Sequence, residues 1–193
     1  TQVDRVKREV HATNLDGSTV VKSYDRLLLA TGSNPFMLPI PGKDLKGVLA
    51  YRDIADTQAM IEAANLYKEA VVIGGGLLGL EAANGLMKRG MHVTVVHGAE
   101  WLMERQLDTV AGGLLQASLE TRGMKFLMRA QTQELKSDAD GRVSAVCFKD
   151  GSHVNAQLVV MAVGIRPNTA LAESMRLHCD RGIVVSDTLQ TVT

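Results

Sequence analysis

The sequence has few aromatic residues, little cysteine and no excess charge of either sign. Aromatic side chains make up only 4% of the 193 residues, so the core must consist mainly of aliphatic side chains. The 21 Lys and Arg residues balance the 21 Asp and Glu residues, which argues against a basic nucleic-acid-binding surface. No apolar run reaches the length of a membrane span. Hydrophobic residues, at 46%, exclude a disordered chain, and we expect one or two folded domains without nucleic-acid or membrane partners.

The few chemically reactive side chains do not form a recognisable metal or hydrolase motif. Cys147 and Cys179 lack metal-binding spacing, and the histidines show no HExxH pattern, so we predict neither a zinc site nor a disulfide framework. The nucleophile motif G-x-S-x-G is also absent, and no catalytic residue is assigned. With no secretory leader at the start, the sequence predicts a protein of a reducing compartment, the cytoplasm.

Strands and helices alternate through the middle of the sequence. Apolar runs predict strands, and 3.6-residue periodicity predicts helices, one of them with Asp53 as N-cap and Ile54 on its apolar face. The predicted strands are residues 48–51, 70–73, 93–96, 125–128 and 158–162, and the predicted helices are 54–67, 77–88 and 107–121. Turn signals further predict an antiparallel meander of 134–137, 143–148 and 152–155. The fold class is therefore α/β, with a parallel sheet of Rossmann type and an antiparallel β-meander.

The two ends of the sequence differ from the middle. Around the turn signal at residues 14–17 we expect a β-hairpin, followed by a short buried strand at 27–30. Three of the four prolines lie within residues 33–47, which predicts a crossing linker. After Gly164 a short helix near 171–175 and an extended segment at 183–185 are expected. We predict three segments, 1–47, 48–163 and 164–193, of which the middle one forms the main domain.

A glycine-rich loop carries the clearest functional signal. Gly74, Gly76 and Gly79 match the pattern G-x-G-x-x-G, with Gly75, Leu77 and Leu78 between them. The loop follows a predicted strand and opens a predicted helix, which is the context of a dinucleotide-binding fingerprint. In that fingerprint the three glycines permit the turn, the approach of a pyrophosphate and close helix–sheet packing. A ligand-free tight turn is the alternative.

Two further residues allow more than one interpretation. His97 ends the next predicted strand, where an acidic residue for the adenosine ribose is usual. Its imidazole could bond a ribose hydroxyl, pair with a 2′-phosphate when protonated, or be a solvated bystander. Glu81 could favour the helix N-terminus through its charge, and this is the interpretation the residues alone favour. Alternatively it could reach a nicotinamide amide.

Four motifs in order resemble one protein family. The segments YDRLLLATGSNP, VVIGGGLLGLEAANGL, AVGIRPN and DRGIVV are similar to those of two-dinucleotide flavoprotein reductases, which have the pyridine-nucleotide-disulphide oxidoreductase fold. The resemblance implies an NAD(P)H-binding domain inserted into an FAD domain. It places NAD(P) at Gly74–Gly79, Glu81, His97 and the Ala162, Val163 and Gly164 crossover. Ala30, Thr31 and Gly32 become an FAD-domain crossover. Within the family, HGAEWLMERQLD is similar to the flavoprotein part of assimilatory NAD(P)H nitrite reductase large subunits.

Other expected family features are missing from the sequence. No first G-x-G-x-x-G precedes Tyr24, no redox CxxC is present, and no cysteine set for siroheme and an iron–sulphur cluster occurs. We therefore expect an internal fragment: a nucleotide domain flanked by two partial FAD-domain segments. The implied partners are NAD(P)H, the rest of the FAD domain and a downstream electron acceptor that holds the siroheme and cluster. The alternatives are a ferredoxin or rubredoxin reductase, and an NAD(H)-binding sensor without turnover.

Overall fold

The computed structural model describes residues 1–191. Its contacts divide the chain into two units: a central unit, Pro35–Gly164, and an outer unit formed by Thr1–Asn34 and the chain from Ile165 onward. Each unit is described by itself. Among residues 1–191, no helix is both long enough and apolar enough to cross a membrane.

The elements follow one another in the order that the sequence patterns predict through the middle of the chain. The strands are β1 (Gln2–Asp4), β2 (Glu9–Thr13), β3 (Thr19–Ser23), β4 (Ser33–Pro35), β5 (Val48–Ala50), β6 (Glu69–Ile73), β7 (His92–His97), β8 (Lys125–Met128), β9 (Thr132–Ser137), β10 (Val143–Phe148), β11 (His153–Asn155), β12 (Leu158–Met161), β13 (Ile165–Pro167), β14 (Cys179–Asp180) and β15 (Gly182–Ile183). The helices are α1 (Ile54–Leu66), α2 (Leu77–Lys88), α3 (Thr109–Glu120) and α4 (Ala170–Ser174).

A five-stranded parallel sheet forms the centre of the central unit. Its strand order is β5-β12-β6-β7-β8, and Val71 of β6 lies opposite Thr94 of β7 and Val159 of β12. The chain therefore runs from β6 outward through β7 to β8, while β12 occupies the opposite side of β6. This reversal of strand order next to β6 is a topological switch point, where α/β proteins place their ligands. The predicted α/β fold of Rossmann type is confirmed.

Side chains of the parallel strands alternate between two hydrophobic cores. Ala70, Val72 and Val95 pack with α1 and α2 through residues such as Met60 and Leu86. The alternate residues of the parallel strands face the other side of the sheet and pack against the meander. The sheet residues of this second core are Val71, Ile73, Val96, Val159 and Met161, and the meander residues are Leu135, Val146 and Phe148. Burial on both faces explains why these strands are continuous apolar runs.

The antiparallel meander is also confirmed. Its strand order is β11-β10-β9, with Val146 opposite Leu135 on one side and Val154 on the other. The register shifts between Val143 and Ala145, which marks a bulge in β10.

Helix ends agree with the capping signals in the sequence. Asp53 caps α1 in a capping box, because its side chain accepts from the Asp56 N–H at 2.9 Å while the Asp56 carboxylate accepts from the Asp53 N–H. Gly90, with φ of +82°, follows the end of α2 as predicted. Two details are corrected. Ile54 is 88% exposed rather than core-facing, and α3 begins at Thr109 because Asp108 caps it.

The outer unit contains the predicted hairpin but lacks one predicted strand. β2 and β3 pair antiparallel around residues 14–18, and β1 adds a third strand. The predicted strand at 27–30 is wrong: no strand within residues 1–191 pairs with it, and Leu28 is 87% exposed. Leu27 and Leu29 instead pack on the small core around α4. The linker at 33–47 contains one short strand, β4, which pairs with β13.

Candidate functional site

The candidate site lies at the carboxyl ends of β6, β7 and β12, where the strand order reverses. Gly74 continues β6, and its N–H donates to the Val96 carbonyl at 2.8 Å. Ala162 continues β12, and its N–H donates to the Ile73 carbonyl, also at 2.8 Å. The structure thus brings the glycine loop of residues 74–79 and the 162–164 crossover together at the switch point. The sequence separates these two segments by more than eighty residues.

Two glycines of the loop are required by the protein's own packing. Gly74 has φ of +123°, and a Cβ there would overlap the Ala162 carbonyl oxygen. A Cβ on Gly79 would overlap the Gly74 carbonyl oxygen, because α2 approaches the loop so closely. These positions therefore account for the tight turn and for the close helix–strand packing of the fingerprint.

Gly76 is different, because nothing in the protein requires glycine there. Its φ of −84° suits any residue, and a Cβ would meet no atom within 4 Å. Gly76 is the N-cap of α2 and supplies no side-chain hydrogen bond to the first-turn N–H groups. The first turn of the helix is thus a bare, positively polarised end that faces open space. Leu77 and Leu78 beside it are 63% and 38% exposed. This arrangement fits a phosphate group at close range to the backbone.

His97 is turned into the protein beneath the glycine loop. Its Nδ1 accepts from the Gly75 N–H at 3.1 Å, so the ring hydrogen is on Nε2. Nε2 lies 3.1 Å from both the Trp101 carbonyl oxygen and the Glu104 carboxylate. The side chain is only 10% exposed, so the solvated-bystander interpretation of His97 is wrong. A contact between its ring and a ribose remains a prediction, and the protein already engages both nitrogens.

The loop after β7 contacts the glycine loop, which the sequence patterns did not predict. The Met103 N–H donates to the Gly75 carbonyl at 3.0 Å, and Leu102 is fully buried. A Cβ on Gly75 would lie 2.7 Å from Leu102 Cδ2 and 2.8 Å from His97 Cγ. The sequence analysis singled out HGAEWLMERQLD, residues 97–108, for its family resemblance, but assigned no contact or site residue after His97 within it. We call residues 98–108 the clamp loop.

Glu81 does not act as a helix cap. It is the fifth residue of α2, beyond the first turn, and α2 has no side-chain cap hydrogen bond. The helix dipole acts mainly within the first turn, so the interpretation based on the dipole is wrong. Glu81 is exposed, one turn after Leu77, on the face of α2 that points away from the core. Its contact with a nicotinamide remains a prediction.

The other predicted contact residues lie in crossings with defined backbone geometry. Gly164 has φ of +125°, and its carbonyl accepts from the Phe36 N–H at 2.9 Å. In the outer unit, Thr31 Oγ1 donates to the Asn168 carbonyl at 2.6 Å, and the Asn168 N–H donates to the Gly32 carbonyl. The predicted flavin contacts of Ala30, Thr31 and Gly32, and the nucleotide contacts of Ala162, Val163 and Gly164, remain predictions.

Titratable groups with shifted pKa values lie outside this site. Hydrogen bonds lower the pKa values of Asp4, at the end of β1, and of Asp16 and Asp150, in surface turns. Within residues 1–191, no group of three or more His, Cys, Asp or Glu side chains could hold a metal ion.

A parallel sheet that reverses order beside a glycine loop and a bare helix N-terminus defines a Rossmann-type domain. The family described as pyridine nucleotide-disulphide oxidoreductase matches residues 1–193, and the chain belongs to that family.

Named relatives agree with this assignment. A nitrite reductase [NAD(P)H] of Bacillus subtilis (strain 168) is 58% identical over 171 residues, 89% of this chain and 21% of that protein. A solved NAD-dependent persulfide reductase from A. fulgidus superposes with a TM-score of 0.93 at 30% identity, over 100% of this chain and 36% of its own. A ferredoxin reductase from Rhodopseudomonas palustris gives 0.90 at 29% identity, over 99% and 46%. The chain thus spans about a fifth of the nitrite reductase relative and less than half of either solved structure.

Proposed function

We propose that residues 74–79 bind the pyrophosphate of NAD(P)H. The observation that carries this proposal is Gly76: it is the N-cap of α2 at the switch point of the sheet, neither packing nor backbone conformation requires glycine there, and a Cβ would enter the space in front of the first-turn N–H groups. The N–H groups of the first turn of α2 would donate to the phosphate oxygens. No side chain competes for those donors, since α2 has no side-chain cap.

The two ends of the nucleotide follow from the strand order. The adenosine end would lie towards β7, beside His97 and the clamp loop, and the nicotinamide end towards β12. Glu81 and the crossover of Ala162, Val163 and Gly164 would then border the nicotinamide. The family membership supports this orientation.

In the full-length protein we propose an FAD partner, bound in part by Ala30, Thr31 and Gly32. When both cofactors are bound, NAD(P)H would supply a hydride to the flavin, and the protein would contribute position and electrostatics. Thr1–Asn34 and the chain from Ile165 onward would then be parts of the FAD domain, and Pro35–Gly164 the nucleotide domain; the predicted boundary between 47 and 48 thus moves to 34 and 35, because residues 37–45 pack on the central core. Gly164 would orient the chain where it leaves that nucleotide domain, since its φ of +125° is open to glycine alone without strain.

The narrower proposal is the flavoprotein part of a nitrite reductase large subunit. The 58% identity to a nitrite reductase [NAD(P)H] supports it. Electrons would continue to a downstream acceptor module with siroheme and an iron–sulphur cluster, outside this chain. The ferredoxin reductase alternative has support from the solved ferredoxin reductase at 29% identity and from a ferredoxin--NAD(+) reductase component at 37% identity. We also propose a cytoplasmic location, since Cys147 and Cys179 are free thiols and the coenzymes are those of reducing compartments.

The proposal for the glycine loop is tested by Gly76→Val in the full-length protein. Titration calorimetry with NAD⁺, which has no hydride to donate, measures binding without turnover. Wild type should show saturable heat, and the variant should lose at least about tenfold in affinity because the branched side chain occupies the approach of the pyrophosphate. Gly85→Val is the matched control, because Gly85 also faces open space but lies two turns along α2.

The two variants separate binding from folding. Both should keep the circular dichroism spectrum of wild type, and Gly85→Val should keep its affinity for NAD⁺. Equal affinities for Gly76→Val and wild type would show that the nucleotide lies elsewhere. Bleaching of bound flavin by NADH in wild type would exclude a sensor without turnover, and NADH-dependent consumption of nitrite would distinguish the nitrite reductase from a ferredoxin reductase.

A further inference from the structure

The end of β7 lacks the carboxylate that usually accepts hydrogen bonds from the adenosine ribose. His97 stands in its place, and the protein already uses both of its ring nitrogens. Nδ1 of His97 accepts from the Gly75 N–H, and its Nε2 hydrogen is directed at protein oxygens. A ribose diol needs an acceptor at this edge of the sheet. The acceptor must therefore come from another residue nearby.

The clamp loop positions the carboxylate of Glu104 beside His97, at the end of β7. Glu104 lies with Oε2 at 3.1 Å from His97 Nε2, although seven residues separate the two in sequence. Its side chain is 35% exposed, so the carboxylate is within reach of a ligand while one oxygen contacts the imidazole. Glu104 makes no other hydrogen bond or ion pair within residues 1–191, which leaves its second oxygen available.

The backbone fixes the position of this carboxylate. Met103, the residue before Glu104, donates its N–H to the Gly75 carbonyl and has φ of +54°. Trp101 Nε1 donates to the Leu107 carbonyl at 2.9 Å and closes the loop on itself. Glu104 is thus attached to the glycine loop at two points, through the Met103 backbone and through His97.

Arg129, a cation beside the clamp loop, is already engaged. Arg129 follows β8 and forms an ion pair with Glu100 at the start of the clamp loop. Both side chains are more than half exposed. A 2′-phosphate near Glu104 would therefore meet that carboxylate, while the charge of Arg129 is already balanced by Glu100.

We propose that Glu104 is a specificity-determining residue that accepts hydrogen bonds from the adenosine ribose and disfavours a 2′-phosphate, with His97 as the positioning residue that holds it. This rests on the proposed function, since it assumes a nucleotide on residues 74–79. A carboxylate repels a phosphate group that carries a charge near −2 at neutral pH. The protein then prefers NAD(H) to NADP(H), through a residue of the clamp loop rather than of β7.

The test is a charge series at one position of the full-length protein: wild type, Glu104→Gln and Glu104→Arg. Dissociation constants for NAD⁺ and NADP⁺ are measured by titration calorimetry near neutral pH. The ratio of the NADP⁺ to the NAD⁺ constant should fall by about ten- to a hundredfold in the glutamine variant and fall again in the arginine variant. Glu120→Gln in α3, which makes the same change of charge away from the site, should leave the ratio unchanged.

The outcomes separate the two proposals. If wild type binds neither nucleotide, the proposed function fails whatever happens at position 104. If wild type binds NAD⁺ and the ratio does not change along the series, the role of Glu104 is overturned while the nucleotide site stands. Equal weakening of both nucleotides, with an unchanged ratio, would show that Glu104 only supports the loop and would also overturn the proposal.

Discussion

Trp101 packs directly against Gly112, so that a Cβ on Gly112 would lie 2.7 Å from Trp101 Cδ1 and 2.9 Å from the Leu102 carbonyl oxygen. The first turn of α3 and the clamp loop therefore meet at a glycine. Leu102 packs beside Gly75, and the Met103 N–H donates to the Gly75 carbonyl. The contact between Trp101 and α3 therefore helps to fix the glycine loop through the clamp loop.

Gly112→Ala should destabilise the protein by about 1–3 kcal/mol, because the new methyl group overlaps both an indole ring and a backbone oxygen. Urea unfolding followed by circular dichroism measures the free energy of unfolding. Gly113→Ala is the control, since its Cβ meets no atom within 4 Å in the same helix turn. It should stabilise by up to about 1 kcal/mol through helix propensity. Equal effects of the two variants would contradict the packing described.

Gly74 and Gly164 allow backbone strain to be separated from overlap. Their φ angles are nearly equal, +123° and +125°, but only a Cβ at Gly74 would overlap another atom. Gly164→Ala should cost about 1–3 kcal/mol of unfolding free energy from strain alone. Gly74→Ala should cost at least about 1 kcal/mol more, or prevent folding, because the Ala162 carbonyl cannot move without breaking its strand extension. Thermal unfolding of both variants tests the order, and a smaller loss for Gly74→Ala would be inconsistent with this geometry.

The pKa of Asp150 should respond to Ser152→Ala. The Ser152 hydroxyl, 2.6 Å from Asp150 Oδ1, is the main cause that holds this pKa below its usual value of 3.8, and the Ser152 N–H adds to it. Removing the hydroxyl should raise the pKa towards 3.8. Carboxyl NMR titration measures the change, and Asp16, which is bonded to Ser18 in the same way, serves as an internal reference that should not move.

The same bond fixes the sign of the pH dependence. A pKa that is lower in the folded state gives a stabilisation that is fully present above the unfolded-state pKa and is lost as pH falls through the folded-state value. The free energy of unfolding should therefore fall less in Ser152→Ala than in wild type as the pH drops through the pKa of Asp150. Ser144→Ala, whose hydroxyl bonds the Lys136 carbonyl, should leave the titration of Asp150 as in wild type.

The sequence patterns predicted the central unit well because its strands are buried on both faces. Residues 70–73 and 158–161 are apolar without interruption for that reason, and the glycines at 74 and 79 follow from contacts inside one strand–turn–helix unit. The run at 27–30, Leu-Leu-Leu-Ala, is equally apolar, but within residues 1–191 it has no strand partner. Composition alone does not distinguish a run that pairs from one that only packs.

The contacts between the clamp loop and His97 could not be predicted from apolar runs or periodicity. The orientation of His97 depends on Trp101 and Glu104, which arrive through a loop without periodicity. The sequence placed His97 at the correct strand end, while the partners of its two nitrogens depend on the path of residues 98–108. The position of Glu81 did follow from the sequence: the predicted helix also starts at Leu77, which makes Glu81 its fifth residue, beyond the first turn.

The division of each parallel strand between two cores has a consequence for how the central unit opens. Val71 and Val159 are covered by the meander, whereas Val72 and Val160 are covered by the helices, so neither layer can detach without exposing half of the same strands. The backbone amides of β6 and β12 are therefore enclosed from both sides. We therefore expect these amides to exchange most slowly, reaching solvent only when the whole unit unfolds cooperatively, and hydrogen exchange followed by mass spectrometry measures this.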